Sequence, residues 1–306
     1  MAAKRGHRIG SLRTAIKGIL PILLLAVGSA TAQTIDQQYE LLGGRSLLEQ
    51  PGALAAAASG DRFAVSDISA DRIYVIDLDA NILWTSGNEV HLGSPKAVCF
   101  DQANNVLYVP QNGKLILRIS EQDPGTIDTI ADLSESLPAP DAIDQLIPAH
   151  DGGYLTLSEN SGVIRRLDAA FQIKAQLIKT GNGKGKVLVP TALWESADGR
   201  VVVADRKNLA VQCFSSDGAF LFSCGWNEVA LQRGWSATAV TVDSRDVIWA
   251  ADDTNSRFRL FDGSGTQLTE IAFPNPLFHP VALAATSDNR VLALGESGGL
   301  TFYNLE

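Results

Sequence analysis

Gly185-Lys186-Val187-Leu188-Val189-Pro190-Thr191-Ala192-Leu193 runs into a turn at Asp198-Gly199, and Val201-Val202-Val203-Ala204-Asp205 follows. A proline opens an apolar run, a turn signal interrupts it, and a β-branched run closes on a carboxylate. Proline is tolerated as the first residue of a strand, and Asp-Gly between apolar runs signals a hairpin. The opening element recurs as Pro51-Gly52-Ala53-Leu54, Pro95-Lys96-Ala97-Val98, Pro140-Asp141-Ala142-Ile143 and Pro280-Val281-Ala282-Leu283. A copy without the proline stands at Ala237-Thr238-Ala239-Val240. The intervals run from 43 to 50 residues.

Two further markers keep the same period. A β-rich run ending on a polar residue follows each opening, closing at Asp67, Gln111, Glu159, Asp205, Asp252 and Glu296. A second strand-like run closes at Asp77, Ser120, Asp168, Ser215, Asp262 and Asn304. No sustained 3.6-residue apolar pattern appears after residue 32. Four short strands in each unit of about 45 residues are the mark of a propeller blade. The expected fold is all-β: a six-bladed β-propeller of four-stranded antiparallel blades spanning residues 33–306.

The sixth unit reaches Glu306 after three strands. A surplus strand at Tyr39-Glu40-Leu41-Leu42 precedes the first blade, with Gly43 placed before Pro51 as Gly87 is before Pro95. That strand is expected to complete blade six and close the ring, leaving no open sheet edge at the junction.

Residues 1–32 differ from the rest. Lys4, Arg5, Arg8, Arg13 and Lys17 precede an apolar run from Gly18 to Val27, and Ser29-Ala30-Thr31-Ala32 supplies small residues. This order reads as a secretory signal peptide cut after Ala32, since the run is too short for a span and carries Pro21. The mature chain is then expected in the periplasm or secreted. Loss of the five basic residues takes the net charge from −9 to −14. Nucleic acid and anionic membranes are poor partners for that balance. Cys99, Cys213 and Cys224 are expected as buried free thiols, because the two in the hairpin around Ser215–Gly218 are offset beyond disulfide reach.

Blades four and five resemble NHL-repeat propellers, and gluconolactonase-like and regucalcin-like propellers more distantly. The resemblance rests on Pro190-Thr191-Ala192, on Val203-Ala204-Asp205, on residues 255–265 (Asn255-Ser256-Arg257-Phe258-Arg259-Leu260-Phe261-Asp262-Gly263-Ser264-Gly265), and on Gly185 to Pro190. It covers about residues 39–306 and speaks to fold more than to function. It implies that each blade-opening strand lines a central channel, and that the residue after each proline lies near the channel's upper mouth. Lys96, Asp141, Thr191 and Thr238 are thereby candidate ligand contacts, with Trp226 and Trp235 from a long loop stacking on a ligand or capping the seam between blades four and five. Amidating lyases of this fold bind zinc through three histidines after those prolines; none of the six positions here is His. Lactonase-like members hold a divalent cation, and only Asp141 stands where such a ligand would.

No cofactor or metal is expected on the leading reading, a non-enzymatic monomer binding a small molecule or protein at the top face. The alternative is a lactonase-like hydrolase or lyase using Ca²⁺ or another divalent cation at Asp141. The acids closing the second strands suggest a ring, which the sequence explains equally as acceptors for turn N–H groups.

Overall fold

The computed structural model describes residues 33–39, 48–87, 89–225 and 234–305. Residues 1–32, read from the sequence as a signal peptide, and Trp226 lie outside them. Six antiparallel sheets of four strands make six blades. The innermost strands are Pro51–Ala56, Ala97–Phe100, Gln145–Pro148, Pro190–Glu195, Ala237–Val242 and Pro280–Ala285. Each packs against the innermost strands of the blades before and after it, and the last packs against the first, so the ring is closed. Blade three carries a fifth short strand, Lys186–Val187, parallel to its outer strand Ile173–Thr180. No described helix is long and apolar enough to cross a membrane.

Sequence dictates which strand goes where. Tyr154–Ser158, Val201–Asp205 and Ile248–Asp252 are buried along their whole length. A second strand is covered by neighbouring blades on both faces, so it reads as an unbroken apolar run. The outer strands Ile82–Thr85 and Phe220–Cys224 are half exposed. Among the described residues six apolar clusters form, one at each seam between blades. At the blade five–six seam Trp249 packs on Phe258 and Tyr303, with ring centroids 6.2 and 5.9 Å away.

The chain's many aspartates are consumed by turns. Asp77, Asp101, Asp168, Asp243 and Asp262 each accept N–H bonds through Oδ1 from the residues two and four further on. The side chain thereby closes the hairpin itself. At Asp262-Gly263 it is Gly265, not Gly263, that takes the left-handed conformation (φ 86°).

Ring closure uses the N-terminal strand, described here over Gln33–Tyr39. Gln33–Tyr39 pairs antiparallel with Leu300–Leu305, from Gln33 opposite Leu305 to Tyr39 opposite Leu300. The described part of the strand reaches Tyr39, and Glu40-Leu41-Leu42 and Gly43 of the sequence reading lie outside the described residues. Its pattern, Thr34-Ile35-Asp36-Gln37-Gln38, is too polar to stand out as a strand; pairing with Leu300–Leu305 places it.

Candidate functional site

A cavity of about 240 Å³ runs along the propeller axis, walled by all six innermost strands. Strand register defines its layers. Ala97 opposes Val109, Gln145 opposes Leu157, Ala192 opposes Ala204, Ala239 opposes Ala251, and Ala282 opposes Leu294. One residue earlier stand Lys96, Asp144, Thr191, Thr238 and Val281, the upper layer. In blade three the layer residue is therefore Asp144, not Asp141. The proline-based alignment slips by three there, because Pro140 belongs to the connection into the blade and not to its first strand.

Asp141 is corrected accordingly. It is buried, and its carboxylate is bound by the Arg165 guanidinium from the third strand of its own blade. Burial alone would raise this carboxyl; the Ser161 hydroxyl and Arg165 outweigh it and hold Asp141 below the usual carboxylate range. Its carbonyl accepts from the Lys114 ammonium. The residue is a clasp, and it does not line the cavity.

Lys96 does line it, with Thr191. The Lys96 ammonium donates to Asp144 Oδ1 at 2.6 Å, across the seam between blades two and three. Asp144 Oδ2 accepts the backbone N–H of Glu159 at 2.8 Å. The Thr191 hydroxyl donates to the Ala237 carbonyl at 2.9 Å, and the Thr238 hydroxyl to the Pro280 carbonyl at 3.4 Å. Thr238 does not line the cavity. Trp235 is corrected too: it is buried in the core between blades four and five, against Phe261 and beneath the Arg259 guanidinium, 5.1 Å from its ring centre. Only the capping half of its two sequence readings stands.

The acid ring dissolves on inspection. Asp67, Asp205 and Asp252 are buried and pair with the third strands at equivalent register, but Ser158 and Gly295 occupy that register in blades three and six. Asp205 accepts from the N–H groups of Leu188, Val189 and Asn208, binding the incoming connection to the blade. Asp67 does the same for Glu49 and Gln50. These carboxylates are structural.

Glu159, one residue beyond the ring position, opens onto the cavity instead. Desolvation first, then the negative charge of Asp144, push its carboxyl above the ordinary glutamate value; Arg206 and Lys96 offset part of this. Glu159 is solvent-exposed as well as on the cavity wall, and a carboxyl with its pKa raised there is a candidate for taking or giving a proton. On the same end, His279 stands two residues before the lining Val281. Its Nδ1 lies 2.7 Å from Asp253 Oδ1, whose hydrogen bond and charge raise the imidazole's pKa.

Towards the lower end the lining residue Glu195 belongs to an ion cluster. Glu195, with its carboxylate buried, accepts from Arg166 Nη2 at 2.6 Å and from the His150 backbone N–H at 2.7 Å, and His150 Nδ1 lies 3.2 Å away. Asp144, Glu159 and Glu195 were missed as wall residues. The usable signal was strand register, which three residues of connection in blade three conceal.

The divalent cation of lactonase-like propellers can be tested against this donor set. A hard cation takes about six oxygen ligands. Asp144 already carries Lys96 on one oxygen and an N–H on the other, and the Thr191 hydroxyl is donated away. Among the described residues no three His, Cys, Asp or Glu side chains are grouped as a metal would require. The residues do not fit such a cation, and no step is derived through one.

No protein-family model and no curated protein matches this chain. Solved structures do. Virginiamycin B lyase from Staphylococcus aureus is 17% identical with a TM-score of 0.58, covering 88% of each chain. A gluconolactonase from Xanthomonas campestris is 14% identical with a TM-score of 0.62, covering 86% of this chain and 88% of its own. The Swd1 β-propeller domain of Myceliophteria thermophila is 12% identical with a TM-score of 0.63, covering 90% and 100%. At these identities the likeness shows the β-propeller fold alone; the six blades are counted from this chain's own sheets.

Proposed function

We propose that this chain is an enzyme that opens a lactone or ester at the upper mouth of the axial cavity, with Glu159 carrying the proton. The observation that carries the reading is Glu159 itself, a carboxyl of raised pKa on the wall of a cavity, beside an ammonium held in place. Similarity to a gluconolactonase and a lyase supports an enzyme over a purely binding module. The Asp141-centred version gives way to one centred on Glu159.

Lys96 has three N–H donors and commits one to Asp144. Another can reach the carbonyl oxygen of a bound ester and stabilise the charge that develops there. Glu159 as carboxylate takes a proton from water; the hydroxyl oxygen bonds to the carbonyl carbon, the ring C–O bond breaks, and Glu159 returns the proton to the departing alkoxide. Abstraction of a carbon-bound proton by the same carboxylate would give elimination, with no water added.

The test is turnover of δ-gluconolactone, simple γ-lactones and virginiamycin B by wild type and Glu159→Gln, followed by product mass. Activity lost about 100-fold or more in the variant supports the role; equal rates remove it. Product mass separates hydrolysis from elimination. We further read blades four and five as NHL-type units, and residues 1–32 as an export signal cut after Ala32.

A further inference from the structure

The rim of blade three is cationic in an acidic protein. The chain carries 34 acidic and 25 basic residues, yet between Asp168 and Glu195 stand four lysines and no Asp or Glu. Lys174 is paired with Asp168. Lys179, Lys184 and Lys186 are exposed around the loop of residues 181–185. Lys179 lies directly opposite Lys186 on the parallel pair of Ile173–Thr180 with Lys186–Val187. Neighbouring strands are about 4.8 Å apart, so the two cationic side chains start side by side, and like charges so placed destabilise a sheet. The fold alone gives no reason for that pair.

Blade four holds the loop in place. Buried Asn208 accepts from the Gly183 N–H and donates to the Gly181 carbonyl, both at 3.2 Å. Buried Gln212 accepts from the Gly185 N–H at 2.9 Å and donates to the Lys186 carbonyl at 2.6 Å. Arg206 and Lys207, both exposed, immediately precede Asn208 on the turn that clamps the loop. Neither bonds a carboxylate among the described residues. The exposed Phe220 packs against Gly185, where an added Cβ would sit 3.2 Å from Phe220 Cβ and 3.6 Å from its Cγ. The exposed Asn182 side chain makes no hydrogen bond among the described residues.

We propose that this rim between blades three and four is a second binding site, separate from the axial cavity, for a short acidic oligosaccharide. Lys179 and Lys186 take its carboxylates, and an incoming anion relieves their mutual repulsion. The Phe220 ring offers a flat face, negative at its centre, to the C–H groups of a sugar ring. Asn182 supplies both donors and an acceptor for hydroxyl groups. The clamped loop needs little ordering on binding. Charge also selects among anions. Duplex nucleic acid and anionic membranes would bring dense negative charge against the acidic remainder of the surface. Single-stranded nucleic acid is held by successive bases stacked on several aromatic side chains, and this patch offers one ring.

The experiment is calorimetric titration of the protein with trigalacturonate, maltotriose and hexathymidylate at about 0.05 M salt and again at about 0.5 M. Trigalacturonate should bind, less tightly at high salt, and maltotriose should bind more weakly than it does. The double variant Lys179→Gln/Lys186→Gln should lose about fivefold or more in affinity, and Phe220→Ala about threefold. Lys184→Gln/Lys207→Gln, on exposed turns, serves if the first pair fails to fold. Lys186→Glu separates binding from folding. It sets opposite charges face to face, so the melting temperature should hold or rise while trigalacturonate binding is lost. A lowered melting temperature would make Lys186 a structural residue and overturn the proposal. So would trigalacturonate affinity equal in wild type and variants, or no tighter than that of maltotriose. Tighter binding of hexathymidylate would overturn it in favour of single-stranded nucleic acid.

Discussion

The Lys96 ammonium bridges to Asp144 Oδ1 at 2.6 Å, and the two residues occupy the same register position in adjacent blades. The position is a rung across a seam wherever its side chain is polar. Thr191 reaches the Ala237 carbonyl of the next blade, and Thr238 reaches Pro280. In blades two and three alone the rung is an ion pair, and there it also sets the electrostatics of the cavity mouth. Glu159 feels both charges, one of each sign.

Asp144→Asn removes a negative charge beside Glu159 and leaves Lys96 in place. The Glu159 carboxyl should then titrate at lower pH than in wild type. If Glu159 is the base, the acid limb of kcat/KM should move to lower pH by the same amount, raising relative activity in acid. Lys96→Met should move both the other way. Carbon-detected NMR titration of Glu159 reads the shift without turnover. An unmoved midpoint in both variants would mean that the pair does not set the carboxyl.

Asp141→Asn should cost stability and spare the mouth. The Asp141–Arg165 pair is nearly buried, and breaking such a pair by removing one partner costs about 3 kcal/mol. Because folding depresses the Asp141 pKa, its contribution is fully present above the unfolded carboxylate value, near 3.9, and is lost as pH falls through the folded value. Denaturant midpoints of wild type and variant should therefore differ at pH 7 and converge in acid. A variant as stable as wild type at pH 7, or one with the mouth's ligand affinity lost, would contradict the clasp.

The fold was legible because it is repeated. Three markers at one period gave the blade count, and the rule against open edges gave the closing partner. The cavity wall was legible where the proline marks the register, as at Lys96 and Thr191. It was hidden in blade three, where the first strand begins at Gln145 and Pro140 lies in the connection. A pattern of residue types does not reveal a three-residue slip; hydrogen bonds such as that of the Asp144 N–H to the Leu157 carbonyl do. The same holds for Glu159, which sequence placed with Asp205 although Ser158 has that register. For Trp235 the sequence left stacking on a ligand and capping the seam open, and only the cover of the neighbouring blade decides for the seam.

Deleting residues 33–39 should lower the melting temperature markedly. The deletion strips the outer strand from Leu300–Leu305 and reopens an edge where the ring closes. A loss of about 3 kcal/mol would correspond to roughly 6–12 °C in a domain of this size. Differential scanning calorimetry reads it, and a change of a degree or two would show that closure relies on the inner strands alone. Intact mass of exported protein checks the companion expectation, that the mature chain begins at Gln33.

His279 offers a second electrostatic test on the same end of the propeller. Its Nδ1 hydrogen-bonds Asp253, the Glu296 charge adds to the effect, and the Glu296 N–H donates to the His279 carbonyl. The imidazole should titrate above its ordinary value of about 6.5. Asp253→Asn removes the largest cause and should bring the midpoint back towards that value. A raised folded pKa stabilises the protein below the unfolded value, and the benefit fades as pH rises through the folded one. The stability gap between wild type and Asp253→Asn should therefore be widest below about pH 6.5 and narrow towards alkaline pH. The side chains are about half exposed, so salt should shrink the gap as well. Proton NMR of the His279 ring gives the midpoint directly. A wild-type midpoint at or below 6.5, or one unmoved by Asp253→Asn, would show that the pair carries no charge interaction in solution.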